Sequence, residues 1–139
     1  SVNVLLPIDI IIAKSLDAPS TAKVVSVNDI PKDWHIADIG PQTIVTFSRE
    51  LEKCRTVIWN GPMGIFEIPQ FAQGTRALAR VLANIEAKTI VGGGSTAEAV
   101  QQMGLADRMT HVSTGGGASL RLLEGKVLPG VAVLQDKEV

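Results

Sequence analysis

The sequence predicts an α/β domain: a parallel sheet carrying helices on both faces. Apolar runs of strand length alternate with segments whose apolar residues recur at helical spacing, the pattern of successive strand–helix units. Three of the runs, TVIW, KTIV and THV, end in glycine-bearing loops that lead into helices: NGPMGIFE, GGGSTAE and STGGGASL. Apolar residues make up 45% of the 139 residues and charged residues 19%, a balance suited to strands covered on two sides.

The first run, VNVLLPIDIIIA, predicts a strand over 3–12. It is too short to span a bilayer, holds Pro7 and Asp9, and lacks the basic start of a signal peptide. The abrupt apolar opening predicts a fragment of a larger protein. DAPST, 17–21, reads as a turn from its proline and small polar residues, with a strand at 23–27. Pro41 after Gly40 suits a first helical position, and Ile44, Phe47, Leu51 and Cys54 recur at helical spacing, predicting a helix over 41–54. A strand at 56–59 precedes the first glycine loop. Pro69, Phe71, Leu78, Leu82 and Ile85 predict a helix over 69–86, followed by a strand at 88–91. Ser95 and Glu98 have capping-box spacing before a helix at 96–103. A strand at 110–112 and a helix at 117–124 complete the series, and the tail after Gly125 is less regular. The expectation is one domain, a three-layer, Rossmann-like parallel sheet, with ligands bound outside the carboxyl ends of the strands.

Composition excludes several chemistries. A net charge of −1 with no basic stripe argues against nucleic-acid binding. Cys54 is the only cysteine, so no internal disulfide or cysteine metal cluster is available, which fits a reducing, cytoplasmic setting. Of the 13 glycines, Gly61, Gly64, Gly92, Gly93, Gly94, Gly115, Gly116 and Gly117 lie in the three loops. Such loops let a backbone approach a ligand, and the helices that follow offer N–H groups to anionic oxygens. Residues 60–67, 92–96 and 113–119 nevertheless contain no Lys or Arg. Phosphoryl transfer needs cations to neutralise its transition state, so the loops alone leave two readings open: a binding module, or a transferase whose cations lie in other sequence. GGGSTA fits a loose dinucleotide fingerprint, but the next strand ends at His111, Val112 and Ser113 without the acid that would hold a ribose. The P-loop pattern is absent.

The blocks WNGPMGIFE, FAQGTRALA, TIVGGGSTAEAV and HVSTGGGASLRLLEGKVLPGV, with LPIDIIIA and DWHIADIGPQT upstream, closely resemble the carboxyl-terminal part of phosphoglycerate kinase. The resemblance runs from about residue 3 to residue 134. It implies a portion of the nucleotide-binding domain of a two-domain kinase. That enzyme moves a phosphoryl group between 1,3-bisphosphoglycerate and ADP, giving 3-phosphoglycerate and magnesium-bound ATP, in glycolysis. By the same resemblance Asn60, Pro62 and Ile65 line the nucleotide pocket, Glu67 accepts hydrogen bonds from the ribose, and Ala37 stands beside the adenine in place of a family leucine. Gly93, Gly94 and Thr96 lie along the phosphates, and Gly116 and Gly117 surround the group in flight, so Gly93, Gly94, Gly116 and Gly117 form the catalytic backbone. Ser95 replaces the family aspartate that contacts the nucleotide's Mg2+, removing a charge there and leaving the metal to phosphates and water. The family's paired phosphate-contacting lysines and its glycerate-binding amino-terminal domain precede the part matched here. The resemblance therefore implies ADP or ATP as partner, glycerate substrates held by the other domain, a tail after about residue 125 that reaches toward that domain, a monomeric whole enzyme, no nucleic acid or membrane partner, and no turnover by this chain alone. The alternative is a stand-alone nucleotide- or anion-binding domain.

Other residues carry structural expectations. Asp9 and Asp38 follow apolar runs and suit hydrogen-bonding roles. Cys54 belongs to its helix's apolar face and is inert. His35 and His111 are structural or surface residues. Trp34 and Trp59 pack, with Trp34 flanking the nucleotide pocket.

Overall fold

The computed structural model describes residues 2–17 and 21–134, and the turn expected over 17–21 falls mainly on 18–20, outside the described residues. The architecture is mixed α/β in two three-stranded sheets. Strands β1 (Asp9–Ala13), β2 (Lys23–Ser26) and β3 (His35–Ile39) form one, in the order β2-β1-β3, with both pairings antiparallel. Strands β4 (Thr56–Asn60), β5 (Lys88–Gly92) and β6 (His111–Ser113) form the other, in chain order and wholly parallel. Helices α1 (Pro41–Leu51), α2 (Gln73–Leu82), α3 (Gly94–Gln102), α4 (Gly116–Leu123) and α5 (Pro129–Ala132) complete the chain.

The expected parallel sheet is thus present in β4–β6, each strand within a residue or two of its predicted span. The amino-terminal sheet differs. Apolar content alone does not distinguish parallel from antiparallel pairing, and β3 lies in a stretch that the pattern left as loop. The first strand is shorter than expected because Pro7 and the residues before it stay outside the ladder. The helix expected over 69–86 is a 3-10 turn, Pro69–Phe71, followed by α2. Helix α1 does begin with Pro41 as its first residue, but it ends at Leu51. Cys54 consequently sits beyond the helix, exposed, with Sγ 3.4 Å from the Glu50 carbonyl oxygen, yet it lines the same apolar cleft as Phe47 and Leu51.

The main core joins the parallel sheet to α2 and α3. Alternation places Val57, Trp59 and Val91 on one sheet face, where they pack with Ala79, Leu82 and Val100. Each large apolar side chain so buried contributes about 1.5–3 kcal/mol. Trp59 carries one cost, an indole N–H buried without a hydrogen-bond partner. Gly92 turns to the other face, where Ser119 of α4 lies against it, so helices occupy both sides of this sheet. That second face is only partly covered: Ile58 is 39% exposed. No helix among the described residues is long and apolar enough to cross a membrane.

Two buried aspartates bind helix starts to strands. Asp9, on β1, accepts hydrogen bonds from the Gln42 amide (2.9 Å), the Thr43 amide (2.7 Å) and Thr43 Oγ1 (2.6 Å), doing for α1 what its own Gly40 N-cap lacks the side chain to do. Burial pushes the Asp9 carboxyl up, but these hydrogen bonds outweigh it and hold the group below its ordinary value of 3.8. The native state then binds fewer protons than the unfolded chain. The stabilisation is complete above the unfolded pKa and is lost as pH falls through the lower folded one. In urea unfolding, the stability gap between the native sequence and Asp9→Asn should therefore be constant near neutrality and close as the pH drops below 3.8.

Candidate functional site

Parallel pairing places Asn60 opposite Gly92 and Gly92 opposite Ser113, so the ends of β4, β5 and β6 form one row. The three glycine loops leave from that row side by side. Hydrogen bonds then stitch them together. The Gly61 N–H donates to Thr96 Oγ1 at 2.7 Å, joining the first loop to the second, and the Gly93 N–H donates to the Ser113 carbonyl at 3.1 Å, joining the second to the third.

The closest approach is between Gly93 and Gly116. A Cβ on Gly116 would stand 2.7 Å from Gly93 Cα and 2.9 Å from both Gly93 N and Asn60 Oδ1. Gly93 adopts φ 96° and ψ 142°, a conformation that favours glycine and swings the chain from β5 directly into α3. No side chain can occupy this junction without moving backbone.

Two helix starts meet there. The first carbonyl bonds of the two turns are Ala97 N–H to Gly93 O at 2.9 Å and Ser119 N–H to Gly115 O at 3.0 Å. The N–H groups before them, on Gly94, Ser95 and Thr96 and on Gly116, Gly117 and Ala118, have no acceptor within their helices. Neither helix has a side-chain cap. Each helix start carries the equivalent of about half a positive charge, and anions are stabilised there. A Cβ on Gly94 or Gly117 would meet nothing within 4 Å, so both positions face open space. The arrangement suits phosphate oxygens and supplies no proton-transfer group.

The expected capping box does not form. Gly93 is the N-cap of α3, which puts Ser95 inside the first turn, exposed, while Glu98 accepts a hydrogen bond from Gln102 Nε2 at 3.0 Å. The positive φ of Gly93 starts the helix earlier than the S-x-x-E pattern implies. Ser95 offers a neutral hydroxyl, and among the described residues no three His, Cys, Asp or Glu side chains are grouped to hold a metal ion. The side chains present do not fit a protein-held magnesium.

The structure brings Asn60, Gly93, Gly94, Ser95, Thr96, Gly116 and Gly117 together. Thr96 is fully buried, and its hydroxyl is taken up by Gly61. The other expected residues lie along the remainder of the first loop and on β3. Pro62 and Ile65 are half-buried and Glu67 is exposed. The Ile65 N–H donates to the Ala37 carbonyl at 3.0 Å, which holds the loop against β3. Ala37 is only 3% exposed, in a small apolar cluster with Ala13 and Phe71. Trp34 is half-buried and has Lys23 Nζ 4.5 Å from its ring centroid, a cation–π contact, while His35 and His111 are exposed.

Sequence reasoning gave Asp38 a structural hydrogen-bonding role but missed how much depends on it. The residue is 1% exposed, and its carboxyl accepts from the Gly74 amide and the Ile39 amide, both at 2.8 Å. Burial raises its pKa above the ordinary carboxylate value, and amide hydrogen bonds from Gly74, Ile39 and Gln73 offset this only in part. The D-x-G-P string after an apolar run was the available signal. Arg121 was also passed over. It lines a recess of about 440 Å³ with Gly117, Ala118 and Pro129 and is a cation beside the third loop. An apolar cleft of about 310 Å³ between α1, α2 and β4, lined by Phe47, Leu51, Trp59 and Leu82, shares only Trp59 and Met63 with the first loop region. Glu50 and Cys54 are the polar side chains in its lining, no glycine of the three loops lines it, and it is not the candidate site.

Comparison with known proteins places the fold in a family. The sequence model of the family described as phosphoglycerate kinase matches residues 1–126. The phosphoglycerate kinase of Chloroflexus aurantiacus is 59% identical over 139 residues, 98% of this chain and 35% of the relative. That of Herpetosiphon aurantiacus is 55% identical over 136 residues, 98% of this chain and 34% of the relative. Among solved structures, phosphoglycerate kinase from Coxiella burnetii superposes with a TM-score of 0.85 at 44% identity, covering 92% of this chain and 33% of that one. The chain therefore spans about a third of the length of the relatives it matches. With the matched span, the identities and the shared fold in agreement, the chain belongs to the phosphoglycerate kinase family.

Proposed function

We propose that this chain is the carboxyl-terminal, nucleotide-binding portion of a phosphoglycerate kinase, and that together with a glycerate-binding portion it transfers a phosphoryl group between 1,3-bisphosphoglycerate and ADP. The observation that carries this reading is the meeting of the α3 and α4 starts at the Gly93–Gly116 contact, with Asn60 alongside. Two adjacent sets of outward N–H groups suit a diphosphate and a third phosphoryl group better than a single anion.

In this reading the amides of Gly94, Ser95 and Thr96 hold the nucleotide phosphates, and those of Gly116 and Gly117 surround the transferring group. Glu67 accepts the ribose hydroxyls, and Pro62 and Ile65 form the apolar side near the base, with Ala37 buried behind Ile65. Asn60 and Gly93 set the spacing between the two amide sets. Catalysis then consists of positioning and charge stabilisation, because an acyl phosphate and a diphosphate exchange a phosphoryl group without proton abstraction. Ser95 would leave any magnesium brought by the nucleotide to water and the phosphates, whose charge the ion would help to neutralise. The loops carry no Lys or Arg, so this chain alone binds but does not turn over. The exposed Val127, Val131 and Val133 support a tail that contacts the glycerate-binding portion.

Calorimetric titration of the 139-residue chain with ADP tests the reading. Binding is expected, with Glu67→Gln weakening it about tenfold or more, the loss of one hydrogen bond to a charged acceptor. A chain that remains folded and takes up no ADP would overturn the reading. Binding that ignores Glu67→Gln would remove the ribose assignment alone.

A further inference from the structure

Asp38 sits where three parts of the molecule press together. It is the penultimate residue of β3, its carboxyl meets the start of α2, and it underlies the loop after β4. A Cβ on Gly64 would lie 2.5 Å from Asp38 Oδ1, and one on Gly74 would also collide with that oxygen, so both glycines exist beside this carboxyl only because they lack side chains. The start of α2 has no cap of its own, and Asp38 accepts the Gly74 amide hydrogen bond there instead. The residues on either side are equally fixed. Ala37 accepts from the Ile65 amide at 3.0 Å, and the Ile39 amide is turned onto Asp38 Oδ1 at 2.8 Å. Asp38 is thus a buried peg that sets how far residues 61–68 stand from β3.

We propose that Asp38 is a positioning residue for the nucleoside end of the nucleotide: it touches no ligand, and acts by fixing Ala37, Ile65 and Glu67 relative to one another. This rests on the nucleotide reading above. The phosphate end is built differently, from the Gly93–Gly116 junction and the starts of α3 and α4, and none of the Asp38 hydrogen bonds reaches it. Loss of the peg therefore falls on one end of the ligand. Asn in its place turns an amide N–H2 toward backbone N–H groups that need an acceptor.

The test compares two probes on the same chain. Asp38→Asn should weaken ADP about tenfold, the effect of one mispaired buried hydrogen bond, and leave tripolyphosphate, a probe of the phosphate end only, within about twofold. Thr43→Val, which removes a hydroxyl from the Asp9 cap of α1, serves as a destabilised control. It should lower the melting temperature and leave the ratio of ADP to tripolyphosphate affinity unchanged. If Asp38→Asn weakens both probes equally, or matches Thr43→Val in lowering only the melting temperature, the positioning role is wrong. Glu67→Gln separates the two levels of argument. If it weakens ADP while Asp38→Asn does not, this inference fails and the nucleotide reading stands; if ADP binds and neither variant matters, this inference and the ribose assignment both fall.

Discussion

Replacing Gly116 by alanine should be the most damaging single-methyl change in the site. The added carbon would stand 2.7 Å from Gly93 Cα and 2.9 Å from Gly93 N, both backbone atoms that no rotamer change can move aside. The junction must open, and the two helix starts separate. Displacements of about 1 Å in a positioned site cost on the order of a hundredfold in rate. On the proposed reading, a loss of that order is expected in turnover once a glycerate-binding portion is present, with a comparable weakening of ADP in calorimetry. Gly94→Ala provides the contrast. Its Cβ meets nothing within 4 Å and Gly94 is the first residue of α3, so the melting temperature should hold, while a methyl group in the open space before the helix start weakens phosphate binding. A Gly116→Ala protein with unimpaired ADP affinity would show that the junction does not set the site.

The largest stability effect is expected at Gly64. A Cβ there would approach the Phe71 carbonyl oxygen and Asp38 Oδ1, each at 2.5 Å. One obstacle is backbone, and the other is a side chain already fixed by the Gly74 and Ile39 amides. Overpacking a site with no flexible neighbour costs up to about 3 kcal/mol, which for a chain of this size lowers the melting temperature by roughly 10 °C. Thermal unfolding followed by circular dichroism would measure it. An unchanged melting temperature would mean that the loop can lift from Asp38, and would weaken the case for that residue as a peg.

The part of the molecule legible in the sequence was the part governed by local rules. The β4–β6 strands announce themselves as apolar runs followed by glycine, and parallel pairing obliges their carboxyl ends to face one way. Convergence of the loops followed from those facts. Pro41 marked the start of α1 correctly because the fixed proline φ belongs at a first helical position. What failed depended on distant partners. β3 is the short string HIADI, made a strand by pairing with β1 rather than by its own composition. Ser95 and Glu98 satisfy a cap pattern, yet the φ of Gly93, set where three loops crowd together, begins the helix before Ser95. The helix expected to reach residue 54 ends at Leu51, although Cys54 still faces the apolar cleft beside it. Asp38 was read as a structural acceptor, but its two glycine neighbours, Gly64 and Gly74, are 26 and 36 residues away in the chain, and only folding brings them to it.

Amide hydrogens, unlike histidine or lysine, neither gain nor lose a proton across the physiological range. A phosphate seat formed from them at the Gly93–Gly116 crossing has an attraction that acidity does not tune, and whatever pH response the ligand shows there comes from the phosphate's own ionisation or from cations on a facing surface. Since the crossing leaves no room for a Cβ at Gly116, evolution cannot easily place a charge in that floor. On the proposed reading, the seat stays electrically constant whatever charges a facing surface carries.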